Sequence, residues 1–367
     1  MNRKKELHKI ELIPLTGVHV GTGNEINPFQ YMIRPNVNGK PAMYRFSIEN
    51  LLHNLEKGKR GELLNLIEDN DLIALRKFFE RNLDTRSILY SIPVTKSTEQ
   101  QYREKINSIK NQLIISEMYR SNGEYFLPVI PGSSIKGAIR TALLDSQTKI
   151  IKNKLINYKN SDFLRKHKFR FEKEVLGYKD IRDDPLRTLI IRDCTIQGKS
   201  SQLISEVSLY RKRRDGDYDF PGLKMVVELI RGSFLGGDAK GVTELLIDRD
   251  LSELKHHKIR ISVENIIKTC NSFYTNLFEL EWERFYLRAD GLPEVRNSIN
   301  SLARYIRKID GNPGEFLIRL GRYSQVEGVT VTEFRHPLNK RGYGRTRTLA
   351  TTDSGFFPLG WIIVRFL

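Results

Sequence analysis

PGSSIKGAIRTALL, residues 131–144, sets a proline, a glycine and two serines ahead of a short helical run. Ile135, Ala138, Ile139, Ala142 and Leu143 recur at three- and four-residue spacing, which predicts one apolar stripe. Ser133 or Ser134 is expected as the N-cap. Lys136 and Arg140, four apart, share the stripe's flank, and Gly137 lies off it, where another backbone can come near. Two cations beside the positive end of a helix dipole are unfavourable unless something negative binds there. Helix-start amides, two hydroxyls and two cations read as an anion site or, equally, as a solvated cationic flank.

The whole chain points to the same kind of partner. Its 367 residues allow about two domains, and 39% apolar with 29% charged residues describes real cores under a charged surface. Lys and Arg outnumber Asp and Glu by 61 to 44, a net charge of +17 that favours a polyanion. No apolar run approaches the ~18 residues of a membrane span, and the basic opening MNRKKELHKI has no apolar stretch suited to a signal sequence. Cys194 and Cys270 form no CxxC pattern, which argues against a disulfide framework or cysteine zinc site and fits a reducing cytoplasm. Nucleic acid is the leading partner.

Working outward, ELHKIELIPL alternates as a half-buried strand and runs into TGVHVGTGNEINP, a glycine-rich turn. Residues 47–84 carry leucines and isoleucines at helical spacing and read as a helical insertion. RSILYSIPVT, NQLIISEMYR, RTLIIRDCTI, SQLISEVSLYRKRR, KMVVELIRGSF and VTELLIDR are strand candidates. Helices are expected near 263–288 and 293–309, then FLIRLG, a basic loop and a closing strand in PLGWIIVRFL. Residues 147–180, rich in Lys, Asn and Arg with scattered aromatics, show no assignable period. Two α+β sandwiches, each a small antiparallel sheet backed by helices, fit this order, with a boundary near 200–222.

The remaining motifs carry little catalytic chemistry. GVHVGTGN (17–24) lacks the third glycine of a dinucleotide fingerprint, and no phosphate-binding GxxxxGK[ST] accompanies it. Its glycines still let amides approach a phosphate. His19 reads as a general base for a 2′-hydroxyl, a structural histidine or a polar RNA contact. Between Arg335 and Arg347 there are five Lys/Arg and no acid, interleaved with His336, Tyr343 and two glycines. Guanidinium-rich loops with an aromatic suit single-stranded RNA, so Lys340, Arg341, Tyr343, Arg345 and Arg347 are candidate contacts. The RKRR at 211–214 is followed at once by aspartates able to pair with it. His256–His257 is a poor ligand spacing, and neither a metal site nor a nucleophile stands out.

The order of LTGVHVGTG, IPGSSIKGAIRTALL, LIIRDCTI and LIRLGRYSQVEGVTV resembles the RAMP superfamily of CRISPR proteins from residue 7 to the last strand. In particular it resembles the Csm-type (type III-A) subunit that caps the backbone filament at the 3′ end of the crRNA. The resemblance implies two ferredoxin-like (RRM-like) domains, residues 1–215 with the helical insertion and residues 216–367. It implies crRNA binding in a complex that recognises target RNA, a part in crRNA maturation, and no intrinsic nuclease activity; the residues themselves lead to no expected cofactor or metal. Its partners would be crRNA, target RNA, the adjacent backbone subunit and other Csm subunits, and host ribonucleases, all in the cytoplasm. The matched RNA-binding positions are His19, Gly21, Thr22 and Gly23, then Ser133, Ser134, Lys136 and Arg140, then Gly321 and Arg322. The late loop departs from the family pattern, with Tyr323, Ser324 and Gln325 where more glycine is expected. On this reading crRNA phosphate sits on the amides of the helix beginning at Ser133–Ser134. The alternative is a metal-independent endoribonuclease for CRISPR repeat RNA, with His19 as base and Lys136 or Arg140 steadying the transition state.

Overall fold

The computed structural model describes every residue except 1–4, 109–112, 124, 214–216, 223, 256, 258, 288, 290–291, 310–311 and 336–345. The alternating opening becomes a ten-residue strand, Lys5–Pro14, with Ile10 and Leu12 turned inward. It is antiparallel to Gly241–Asp248 on one side and to Trp361–Phe366 on the other. Leu189–Ile191 and Glu315–Arg319 form the two edges of this five-stranded sheet. Helix Gly132–Ile151 joins the first strand to Leu189–Ile191, and helix Val263–Glu281 follows Gly241–Asp248. Both helices pack on the sheet and on each other, and the Tyr274 hydroxyl of the second donates to the Ala138 carbonyl of the first at 3.0 Å. Strand order 4-1-3-2 with crossing helices is the split βαβ, ferredoxin-like arrangement, here with Glu315–Arg319 added beyond the fourth strand.

A second sheet runs Gly355–Pro358, Thr346–Thr352, Gln202–Lys212, Lys224–Ile230, Ile115–Met118, Gly21–Ile26, with Tyr218–Asp219 beside Gln202–Lys212. Its one parallel pairing in this run joins Lys224–Ile230 to Ile115–Met118. A smaller sheet of Tyr31–Pro35, Pro41–Phe46 and Ile88–Pro93 carries the helical stretch expected at 47–84, which forms helices Ile48–Asn54, Lys57–Glu68 and Leu72–Asn82. Ser47 and Asp71 cap the first and third of these, accepting from the amides of Asn50 and Ala74. Met32, Phe46, Leu51 and Phe78 make their separate core.

Several expectations are corrected by hydrogen bonding that a linear reading does not contain. Both large sheets take strands from either side of 215/216, and that cut falls between the paired strands Gln202–Lys212 and Lys224–Ile230. The chain therefore does not divide there into two units. The glycine-rich turn becomes, from Gly21, an edge strand bulged between Gly21 and Glu25 against Ile115–Met118. The two strands Thr346–Thr352 and Gly355–Pro358 were expected as part of a basic loop. The helix of the opening motif starts two or three residues early, with Pro131 as N-cap, so Ser133 and Ser134 are inside its first turn. Residues 147–180 contain the end of that helix, a 3₁₀ segment Lys152–Lys159 and helices Ser161–Lys166 and Lys168–Leu176. The apolar stripe is as expected, with all five residues buried. Cys194 and Cys270 are buried free thiols, and burial pushes the Cys194 thiol up to about 12. Among the described residues no helix is long and apolar enough to cross a membrane.

Candidate nucleic-acid interface

Three motifs far apart in sequence meet at one open cleft of about 660 Å³. Val20, Gly21 and Gly23 come from the first motif, Ser134, Gly137, Ala138 and Thr141 from the helix, and Arg319 to Arg322 with Ser324, Gly328 and Val329 from the late loop. The helical contributors are spaced i, i+3, i+4, i+7 and so form one small-residue stripe. A Cβ built on Gly137 meets nothing within 4 Å, so the helix backbone is open to the cleft. Of the two cations among the described lining residues, Arg322 is exposed and Arg319 is fully buried. The cleft is thus lined mainly by backbone, hydroxyls and small side chains, a surface a sugar–phosphate chain can approach closely.

His19 holds the first and late loops together from behind. Its carbonyl accepts the Arg322 amide at 2.9 Å, and its Nδ1 lies 2.8 Å from the Glu228 carbonyl, which makes Nδ1 the protonated nitrogen. The ring is 2% exposed. Burial lowers its pKa, the Glu228 hydrogen bond works the other way, and Arg322 lowers it further, so the ring is neutral at pH 7. Gly321 crosses this contact at φ +93, and a Cβ there would lie 2.6 Å from the His19 carbonyl oxygen, which demands glycine. A Cβ on Gly21 would lie 2.6 Å from the ring Nε2. That nitrogen is shielded by the Gly21 backbone and does not face a substrate.

The late loop rests on a buried ionic lattice. Glu281, at the end of helix Val263–Glu281, accepts a hydrogen bond from Arg319 at 2.8 Å and forms an ion pair with Arg347 at 2.5 Å. Arg347 also reaches Glu327 at 3.1 Å, and Arg335 donates to the Glu327 carbonyl. One carboxylate therefore ties both stems of the 320–346 segment. Asp145 of the motif helix adds a pin, accepting the Thr332 amide at 2.6 Å. Arg347 is 1% exposed within this lattice, so it is a structural cation and not the RNA contact expected from sequence. Lys340, Arg341, Tyr343 and Arg345 lie outside the described residues.

The helix start is arranged differently from the expected phosphate seat. Its Gly132 amide donates to the Asp193 carboxylate at 2.8 Å, and the amides of Ser134 and Ile135 bond to the Pro131 carbonyl. A Cβ on Gly132 would come within 2.0 Å of the Ile191 carbonyl, so the 191–193 segment lies directly across this end. The chain's own aspartate occupies the place proposed for a phosphate. Lys136 and Arg140 stand on the flank opposite the cleft stripe. Arg140 donates to Glu172 at 2.6 Å and to Asp184 at 2.8 Å, and those partners raise its pKa against the effect of burial. Burial lowers the Lys136 pKa, with Asp184 opposing. The Thr22 hydroxyl donates to Glu117, and Ser133 is exposed outside the lining.

Sequence reasoning thus placed Gly21, Gly23, Ser134, Gly321 and Arg322 at one site. It marked Gly137 as a point of close approach but missed Thr141 as lining, although its spacing from Ser134 and Gly137 was a readable signal. It missed Asp193 and Glu281, whose roles depend on contacts across the fold.

A sequence model of the RAMP superfamily matches residues 11–322. The fold is similar to a chain in the cryo-EM structure of a Csm–crRNA–target RNA ternary complex in a type III-A CRISPR–Cas system, with a TM-score of 0.66 and 21% identity over 99% of this chain and 100% of that one. It is also similar to the crystal structure of T. onnurineus Csm5, with a TM-score of 0.60 and 20% identity over 96% of this chain and 99% of that one. At these identities the likeness is one of fold. No curated protein matches the chain.

Proposed function

The chain belongs to the RAMP superfamily, and from that premise we propose that it is a non-catalytic crRNA-binding subunit of a type III-A CRISPR (Csm) effector complex. In this reading it caps the backbone filament at the crRNA 3′ end and serves crRNA maturation and target-RNA interference in the cytoplasm. Its partners are crRNA, target RNA, the adjacent backbone subunit with the other Csm subunits, and host ribonucleases. The ferredoxin-like sheet and the helical stretch at 47–84 supply the scaffold.

The observation that carries the proposal is the convergence of the first glycine motif, the motif helix and the late loop on one cleft. Glycine-rich backbone on three sides admits a polyanion's chain, Arg322 supplies an exposed cation, and the net charge of +17 supplies attraction at distance. The endoribonuclease alternative loses its base, because His19 is buried with one nitrogen bonded to Glu228 and the other shielded by Gly21.

Titration of labelled crRNA-length single-stranded RNA against the full chain at several salt concentrations tests the reading. Arg322→Glu is expected to weaken binding and flatten the log–log salt dependence by about 0.7 if one phosphate contact is lost. Equal slopes for Arg322→Glu and the parent protein contradict the assignment.

A further inference from the structure

We propose that residues 149–179 form a second single-stranded RNA contact, outside the cleft, in which Phe169 stacks on a base while surrounding lysines meet phosphates. This stretch holds ten Lys/Arg against three Asp/Glu, a large share of the chain's basic excess. It folds as the end of the motif helix, a 3₁₀ segment and two short helices, on the flank of the motif helix that carries Arg140 and not on the cleft stripe. The Arg140–Glu172 ion pair and contacts between helices Gly132–Ile151 and Lys168–Leu176 fix it there.

Phe169 is 81% exposed, and the fold does not need it. The lobe's own core is already a closed run of rings: Tyr158 meets Phe163 at 5.3 Å and Phe171 at 5.1 Å, and Phe171 meets Phe334 at 5.5 Å. Phe169 points away from that run, with Lys173 one turn on along the same helix face. Lys152, Lys154, Lys159, Lys166 and Lys168, in the same stretch of chain, are exposed. Two ion pairs in the lobe, Lys149–Asp145 and Arg170–Glu174, are at least partly exposed, and the latter yields to a competing anion at little cost.

A solvent-facing aromatic among cations is the stacking platform of single-strand binding, where the ring face takes any unpaired base and the cations track the backbone. A paired base hides its face, so a duplex is excluded. Phe334 places the lobe beside Arg335, where the basic run of the late segment begins.

The test uses the full chain, a photoactivatable oligouridylate and mapping of crosslinked peptides. Crosslinks are expected in the peptide containing Phe169, and Phe169→Ala is expected to abolish them and weaken oligouridylate binding roughly tenfold. Lys166→Ala with Lys173→Ala is expected to reduce the salt slope instead, by about 0.7 per lost contact. Gly137→Trp, which fills only the cleft, leaves the lobe crosslink in place, so failure of the cleft assignment and failure of this one are distinguishable. Because Phe169 is exposed, its removal leaves the unfolding temperature unchanged. Absence of lobe crosslinks, unchanged affinity in Phe169→Ala, equal binding of duplex RNA, or loss only of phosphatidylserine-vesicle or acidic-protein binding overturns the proposal.

Discussion

Gly321 and His19 show how single positions shape the cleft. With φ +93 and a Cβ placed 2.6 Å from the His19 carbonyl, Gly321→Ala must either strain the backbone or shift the late loop. A loss of about 1–3 kcal/mol in chemical denaturation is expected, with weaker RNA binding in the same variant. His19 gives a pH signature. Its folded pKa is lowered, so below the ordinary histidine value of about 6.5 the unfolded chain takes up a proton that the folded chain refuses. Stability falls as pH drops through and below that value, with a slope of at most about 1.4 kcal/mol per pH unit, and levels off below the folded pKa. Denaturant midpoints between pH 7 and pH 5 are expected to fall less in His19→Asn than in the parent protein. An identical pH response in both proteins contradicts the buried neutral imidazole.

At the scale of elements, the motif helix works with opposite faces. Ile135, Ile139 and Ala142 bury into the core, Ser134, Gly137 and Thr141 open to the cleft, and Arg140 ties the 161–184 region to the helix. Arg140→Ala is therefore a stability variant, expected to cost about 1–3 kcal/mol by stranding Asp184, which is largely buried, while Arg322→Glu in the same background still flattens the salt dependence of RNA binding. Thermal unfolding beside an RNA titration checks both halves. Strands such as Lys5–Pro14, Gln202–Lys212 and Gly241–Asp248 were legible because alternation or a dense apolar run is written locally. The strands Tyr31–Pro35 and Pro41–Phe46 were overlooked, although the Asn-Val-Asn-Gly between them is a turn signal. What sequence could not supply was pairing. Nothing near Arg140 in the chain announces Glu172 or Asp184, and nothing near Gly132 announces Asp193, so cations and amides that read as available prove to be engaged.

Across the whole molecule, the same rule explains Arg347, which reads as part of a basic loop and is the inner wall of a buried lattice. Glu281 joins a core helix to both stems of the late segment. Glu281→Ala leaves Arg319 and Arg347 buried without their shared carboxylate, and a loss of about 3–5 kcal/mol is expected. Proteolysis within 320–346 should accelerate more than at sites in the ferredoxin-like sheet, and uniform cleavage across the chain counts against a local anchoring role. The sheets interleave residues from both ends of the chain, which is how glycine motifs some 300 residues apart come to share one cleft.

The most direct measurement of the central claim is RNA binding by Gly137→Trp. Gly137 is exposed within a helix, with no atom within 4 Å of a built Cβ, so replacing it removes a helix-weakening glycine and places an indole in the cleft. The account predicts a protein at least as stable as the parent, with affinity for crRNA-length RNA lowered tenfold or more. An equally stable Gly137→Trp that binds this RNA as tightly as the parent would show that the strand does not lie in the cleft.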